Sequence, residues 1–167
     1  MVTYEDLQIL KSYRPDSDRY VLSIYLSTDQ SKATKLNRGF ERTLGNLFRA
    51  LEQDVTEPHV RQELEVNRDK VWKFIQSYTP RKKTLLIFSD ALRGFWWEQE
   101  LPIDLPDLAR FSQLLFLRPL ITALDEHERY GVVLIDKGRA RLFTVYAGDI
   151  EEQERVFEEV PPVTQTA

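Results

Sequence analysis

Residues 83–90, Lys-Thr-Leu-Leu-Ile-Phe-Ser-Asp, form a short apolar run with a charged residue at each end. Continuous apolar runs of this length, bounded by polar residues, are typical of strands that are buried on both faces. The next segment, residues 92–100, is predicted to be its partner strand, joined to it by a tight turn at Asp90 and Ala91. We therefore expect a sheet that has residues 83–90 as a central strand.

Two long amphipathic helices are predicted before this strand. Apolar residues recur at three- and four-residue steps in residues 35–54, and a second helix should begin near residues 56–58, with Thr56 as the N-cap and proline in the first turn. A β-rich segment, residues 20–27, precedes both helices. The sequence thus predicts an α/β (α+β) domain over residues 1–129, in which long helices pack on a small mixed sheet.

The pattern changes after residue 129. Residues 130–135 and 140–146 are predicted strands joined by a hairpin turn, and an acidic third strand is expected over residues 150–160. Three antiparallel strands with no helix to cover them do not complete a domain. We therefore expect residues 130–167 to be the opening strands of a second domain, in a chain that is cut off at its end.

Composition excludes several classes of site. The chain contains no cysteine, so disulfides, thiolate nucleophiles and cysteine-ligated metals are excluded. His59 and His127 stand far apart without partners at ligand spacing, and no glycine-rich nucleotide loop is present. We expect no catalytic residue, metal site or cofactor within this sequence. Without an apolar span or a signal peptide, a cytoplasmic location with no membrane contact is predicted, while the oligomeric state stays undetermined.

Basic residues provide the candidate binding site, although the net charge is −4. On a helix that turns 100° per residue, four cations of residues 35–54 fall within about 60° of one another, opposite the apolar face. Such a row could follow a phosphate backbone. The predicted nucleic-acid-binding residues, including one from the preceding loop, are Lys32, Lys35, Arg38, Arg42 and Arg49. An ordinary solvated helix face, with Glu41 and Glu52 nearby, explains the same pattern, and the sequence leaves both interpretations open.

The order of segments from residue 83 onward resembles the archaeo-eukaryotic peptide-chain release factor family, and in particular its divergent bacterial relatives. The segments that carry the resemblance are KTLLIFSD, the proline-interrupted PIDLPDLARF, the helix LRPLITALDEHER and the stretch YGVVLIDKGRARLFTVYAG. The resemblance implies an N-terminal domain followed by the start of a middle domain. It also implies a ribosome-associated role in translation termination or rescue, with the ribosome and its rRNA or tRNA as partners.

Three departures from the family pattern limit what the resemblance implies. The Asn-Ile-Lys-Ser loop between the first two long helices is absent, and the Tyr-x-Cys-x-x-x-Phe motif is replaced at Ala109, Phe111 and Leu115. Recognition of stop codons is therefore not expected. The family's hydrolytic Gly-Gly-Gln loop would begin where this chain ends, and Gln165 lacks flanking glycines, so it is not assigned that role.

Three functions follow from these observations. The first is a binding module that contacts rRNA or tRNA at the ribosome through the five cations. The second is an enzyme that hydrolyses the ester of peptidyl-tRNA through residues beyond Ala167. The third is a protein-interaction scaffold unconnected with translation, which becomes preferable if the basic helix face is covered by another part of the fold.

Overall fold

The computed structural model describes residues 2–16, 19–136, 139–147 and 149–153. The chain divides into two compact units, Met1–Thr122 and Ala123–Ala167.

A four-stranded sheet forms the centre of the first unit. Its strands are β1 (Val21–Ser27), β2 (Thr84–Asp90), β3 (Phe95–Leu101) and β4 (Leu108–Ser112), in the order β3-β2-β1-β4. All seven residues of both β1 and β2 are buried, which confirms that residues 83–90 supply a central strand. All three strand pairings are antiparallel. The sheet is therefore antiparallel, where the sequence predicted a mixed one.

Two long helices pack against one face of this sheet. The helices of the chain are α1 (Tyr4–Ser12), α2 (Gly39–Asp54), α3 (Pro58–Ser77) and α4 (Arg118–Glu126). Alternate residues of β1 and β2 join the apolar stripes of α2 and α3 in one buried cluster, which includes Leu22, Ile24, Leu26, Phe40, Leu44, Leu64, Val71, Ile75, Leu85 and Ile87. Burial of each such side chain contributes about 1.5–3 kcal/mol. The predicted α/β (α+β) class is confirmed.

Helix α2 begins four residues later than the sequence predicted. Leu36–Arg38 form a single turn of 3₁₀-helix, in which Asn37 and Arg38 have φ values of 49° and 63°. A β-carbon on Gly39 would lie 2.1 Å from the carbonyl oxygen of Thr34, so the chain comes too close to itself there for any other residue. Because this turn interrupts the helix, Lys35 and Arg38 do not share its regular angular spacing.

Local capping signals place the other helix starts. Thr3 and Asp6 form a reciprocal capping box at the start of α1. At α3 the predicted proline occupies the first turn, but the N-cap is Glu57 rather than Thr56, and no side chain caps the helix. A carboxylate at that position still interacts favourably with the positive end of the helix dipole.

The two adjacent tryptophans point to opposite faces of the sheet, as their positions on a strand predict. Trp96 contacts Phe74 of α3, with ring centroids 5.4 Å apart. Trp97 stacks on Phe88 and donates a hydrogen bond to Asp6 of α1. Both indoles are half-buried.

The second unit contains an antiparallel meander. Its strands are β5 (Arg129–Asp136), β6 (Arg139–Tyr146) and β7 (Asp149–Glu152), in the order β5-β6-β7. The predicted strand order is confirmed, and the boundary predicted between residues 129 and 130 lies inside β5. The predicted turn residues 137 and 138, the end of the predicted third strand and Gln165 lie outside the described residues.

Candidate nucleic-acid interface

The outer face of α2 carries an exposed polar stripe, formed by Arg42, Asn46, Arg49 and Gln53. Steps of four, three and four residues keep these side chains within about 60° of one another over about 16 Å of helix. Arg49 donates a hydrogen bond to the Asn46 amide oxygen at 3.0 Å. Within the described residues, Arg42 has neither an ion-pair nor a hydrogen-bond partner. The stripe therefore presents two cations to solvent.

Lys35, by contrast, is part of the interior. It is 5% exposed, and its Nζ lies 2.7 Å from Asp107 Oδ2 and 2.9 Å from Thr43 Oγ1. Asp107 also accepts a hydrogen bond from the backbone N–H of Ser27, at 2.8 Å. The Lys35 ammonium group thus connects the residue before the 3₁₀ turn to the segment that leads into β4. Its charge is neutralised by the carboxylate of Asp107.

Lys32 also pairs with a carboxylate, closer to the surface. Its Nζ donates to Asp104 Oδ2, and both side chains are about two-fifths exposed. The hydrogen bond to Asp104 raises the pKa of the Lys32 ammonium group. Asp104 accepts a further hydrogen bond from Ser27 Oγ at 2.9 Å. Lys32 therefore contributes little unbalanced positive charge.

The guanidinium group of Arg38 caps the C-terminal end of α3. It donates to the carbonyl oxygens of Tyr78 and Ile75, at 2.8 and 2.6 Å, and to Glu41 Oε1 at 2.7 Å. Carbonyls in the last turn of a helix lack intrahelical partners, so a cation at this place stabilises the helix end. Of the five predicted residues, the structure leaves Arg42 and Arg49 exposed without a carboxylate partner, while the other three are bound within the fold.

A second basic segment was not predicted as a binding site from the sequence. Arg81, Lys82 and Lys83 connect α3 to β2, and Thr28 holds their backbone by hydrogen bonds to the carbonyls of Lys82 and Lys83. The Arg81 side chain is 83% exposed and touches Glu100 at 3.4 Å. Arg81 and Lys82 line a groove together with Glu98 and Glu100 of β3. Three consecutive cations in the sequence are a visible signal of a basic segment.

A groove beside β4 has exposed carboxylates on one wall. A groove of about 530 Å³ separates the α2–α3 connection from β4, and Ala109 and Phe111, which replace motif residues, line it. On the opposite wall Asp54 and Glu57 are exposed. Carboxylates repel a phosphodiester backbone.

Burial raises the pKa of several tyrosines in the first unit. Burial, followed by the Asp90 carboxylate, raises the pKa of Tyr13 to about 12. Burial also raises the pKa of Tyr25, whose hydroxyl donates to the carbonyl of Phe116. His59 is exposed, and His127 lies 3.0 Å from the Ala123 carbonyl. No group of three or more metal-ligating side chains, and no helix long and apolar enough to cross a membrane, occurs in the described ranges.

Comparison with known proteins finds similarity to release factors, in sequence over the C-terminal part of the chain and in fold over most of it. Residues 116–167 match the family described as bacterial archaeo-eukaryotic release factor family 10. The structure is similar to an archaeal translation termination factor, aRF1, with a TM-score of 0.52 and 14% identity over 93% of this chain and 43% of that chain. A solved structure described as an archaeal protein matches with a TM-score of 0.49 and 16% identity, over 93% of this chain and 44% of its own. No curated protein matches the sequence.

The protein is therefore release-factor-like, as the order of its segments predicted. Its C-terminal part matches the model of bacterial archaeo-eukaryotic release factor family 10, and its fold is similar to part of the archaeal factor. The chain spans less than half the length of the two solved proteins.

Proposed function

We propose that the protein acts at the ribosome as a translation termination or rescue-type factor, and that its first unit contacts rRNA or tRNA phosphates through Arg42 and Arg49. The family match and the fold likeness support the connection with translation. The exposed stripe on α2 supports the RNA contact, because it holds two cations and no carboxylate. Glu41 and Glu52 lie about 80–100° away around the helix. This stripe is the observation that carries the proposal.

The other three predicted cations differ in how far their side chains are exposed to a phosphate. The side chains of Lys32 and Arg38 are 42% and 39% exposed, so a phosphate that reached them would compete with Asp104 and Glu41. Lys35 is buried and is left out of the proposed contact. Arg81 and Lys83 are also exposed, in the connection between α3 and β2. The scaffold alternative required a covered basic face, and the exposure of Arg42 and Arg49 favours the RNA contact over it.

The magnitude of the effect follows from counterion release. Each phosphate contact contributes about 0.7–0.9 to the slope of log affinity against log salt concentration. Two arginines therefore account for a slope of about −1.5, and Arg81 with Lys83 would double it. Desolvation costs little, because these side chains are already exposed in the unbound protein.

The experiment measures binding of the full chain to ribosomes by co-sedimentation over a range of salt concentrations. The Arg42→Glu/Arg49→Glu variant should bind at least about tenfold more weakly at low salt, with a shallower salt slope. The control is Lys11→Glu/Arg118→Glu, which changes the net charge equally at exposed positions on α1 and α4. Equal loss in both variants, or no loss in either, would contradict the proposed site.

A further inference from the structure

Strand β4 is an edge of the four-stranded sheet, and its outer side has no hydrogen-bond partner within the described ranges. It pairs with β1 on its inner side. In an antiparallel edge strand, alternate residues direct their N–H and C=O groups away from the sheet. All five residues of β4, Leu108–Ser112, line the groove of about 530 Å³ described above. The groove thus runs along the whole open edge.

The walls of this groove suit one extended segment of chain. Its far wall is the α2–α3 connection, whose Val55 lies between Asp54 and the N-cap of α3. Apolar lining comes from Tyr20 and Phe111, which have ring centroids 5.4 Å apart. An added strand would lie about 4.8 Å from β4, and five residues would extend about 17 Å. Its alternate side chains would meet this apolar lining.

The two edges of the sheet are protected differently. β3, at the other edge, carries the exposed carboxylate of Glu98 and is followed by Pro102, and such residues block the addition of another strand. β4 contains one charged residue, Arg110. The Arg110 guanidinium group lies over the ring of Phe116, 4.0 Å from the ring centroid. Its charge is therefore held by this ring and does not block the outer edge of β4. β4 therefore lacks the usual protection.

We propose that this groove binds an extended basic segment of a partner protein, which adds as a strand to the outer edge of β4. Main-chain hydrogen bonds would supply affinity, and the exposed carboxylates of Asp54 and of Glu57, the latter 3.4 Å from His59 Nε2, would favour lysine or arginine. The same carboxylates oppose single-stranded RNA in the groove. This site is separate from the arginine stripe and does not depend on the proposed RNA contact.

Two synthetic seven-residue peptides test the proposal on the full chain. One alternates lysine with valine and the other alternates glutamate with valine. Amide hydrogen exchange, followed by NMR, reports protection at individual residues. The basic peptide should slow exchange at outward-facing amides within Leu108–Ser112, whereas the acidic peptide should not. Absence of protection in β4, or equal protection by both peptides, overturns the proposal.

A charge-reversed groove provides the second arm of the test. Asp54→Lys/Glu57→Lys changes exposed side chains and should weaken binding of the basic peptide about tenfold or more, while allowing the acidic peptide to bind. The matched control, Glu65→Lys/Glu126→Lys, has the same net charge and should bind the basic peptide as the parent protein does. An equal effect of both variants overturns the charge assignment. Displacement of the basic peptide from β4 by a single-stranded oligoribonucleotide overturns the proposal in favour of RNA.

Discussion

Replacement of Lys35 tests whether this cation belongs to the fold or to a binding surface. In Lys35→Met the side chain keeps its length but loses the hydrogen bonds from Nζ to Asp107 and Thr43. A hydrogen bond to a charged group contributes about 1.5–3 kcal/mol. Asp107 is 28% exposed and keeps its hydrogen bond from the N–H of Ser27, so water compensates part of the loss. We expect the free energy of unfolding to fall by about 2 kcal/mol.

Charge reversal at the same position should cost more. Lys35→Glu places a second carboxylate against Asp107 in a site that excludes most water, and we expect a loss of about 4 kcal/mol. Arg42→Glu, on the exposed stripe, should change the free energy of unfolding by no more than about 0.5 kcal/mol. Both substitutions alter the charge equally, so the difference between them reports burial.

Urea unfolding followed by tryptophan fluorescence is the appropriate assay, because Trp72, Trp96 and Trp97 all lie in the first unit. Both Lys35 variants should unfold at a lower urea midpoint than the parent protein, while the dependence of the free energy of unfolding on urea concentration should be unchanged. In a double-mutant cycle with Asp107→Asn, the losses should be less than additive by at least about 0.5 kcal/mol. An unfolding midpoint for Lys35→Met equal to that of the parent would refute the internal ion pair.

Two further predictions concern the backbone and a buried phenol. Gly39→Ala should reduce the free energy of unfolding by about 3 kcal/mol in the same urea assay, because its β-carbon would meet the backbone oxygen of Thr34 at 2.1 Å. Gly45→Ala, with the nearest atom 3.9 Å away inside α2, should instead add about 0.5–1 kcal/mol, and equal effects would contradict the steric argument. Tyr13 should ionise near pH 12 in an ultraviolet titration, in a step that Tyr13→Phe abolishes, because burial and Asp90 disfavour the phenolate. Its contribution to stability should be complete below about pH 10 and decline as the pH rises towards 12, and ionisation at the ordinary pH of a tyrosine would count against it.

The proposed surfaces have opposite charge and share one helix. The arginine stripe occupies the outer face of α2, and the acidic rim of the groove begins at Asp54, where α2 ends. Salt should weaken both contacts, because each depends on exposed charges. Reversal of Arg42 and Arg49 should leave peptide binding at β4 unchanged, so the two interactions are separable by mutation.

Much of the architecture could be predicted because its signals are local. The apolar run at residues 83–90, the capping box of Thr3 and Asp6, and the helical periodicity of α3 each depend on neighbouring residues. Asn67, on the apolar stripe of α3, accepts a hydrogen bond from Ser89 Oγ at 2.8 Å. A polar residue on an apolar stripe requires such a partner, even when the sequence does not identify it.

The candidate site was predicted less completely, for a reason that is specific to α2. The angular alignment of the cations assumed a regular helix from residue 35, but the close approach at Gly39 interrupts it. Arg42 and Arg49, inside the regular part, are exposed on one face as the periodicity predicted. Lys35 lies before it and is drawn to Asp107, a residue far away in the sequence. Whether Arg42 and Arg49 bind RNA stays a prediction.

The sequence by itself determined which segments are strands and helices, which of their faces are apolar, and the resemblance to release factors. These properties arise from side-chain chemistry and spacing along a few turns of chain. The tertiary structure decided which charges are neutralised by ion pairs within the fold. Pairs such as Lys35 with Asp107 and Lys32 with Asp104 join segments that are distant in sequence and that only the sheet brings together. It also left β4 at an edge, since strand order depends on pairing between distant segments and local pattern does not encode it.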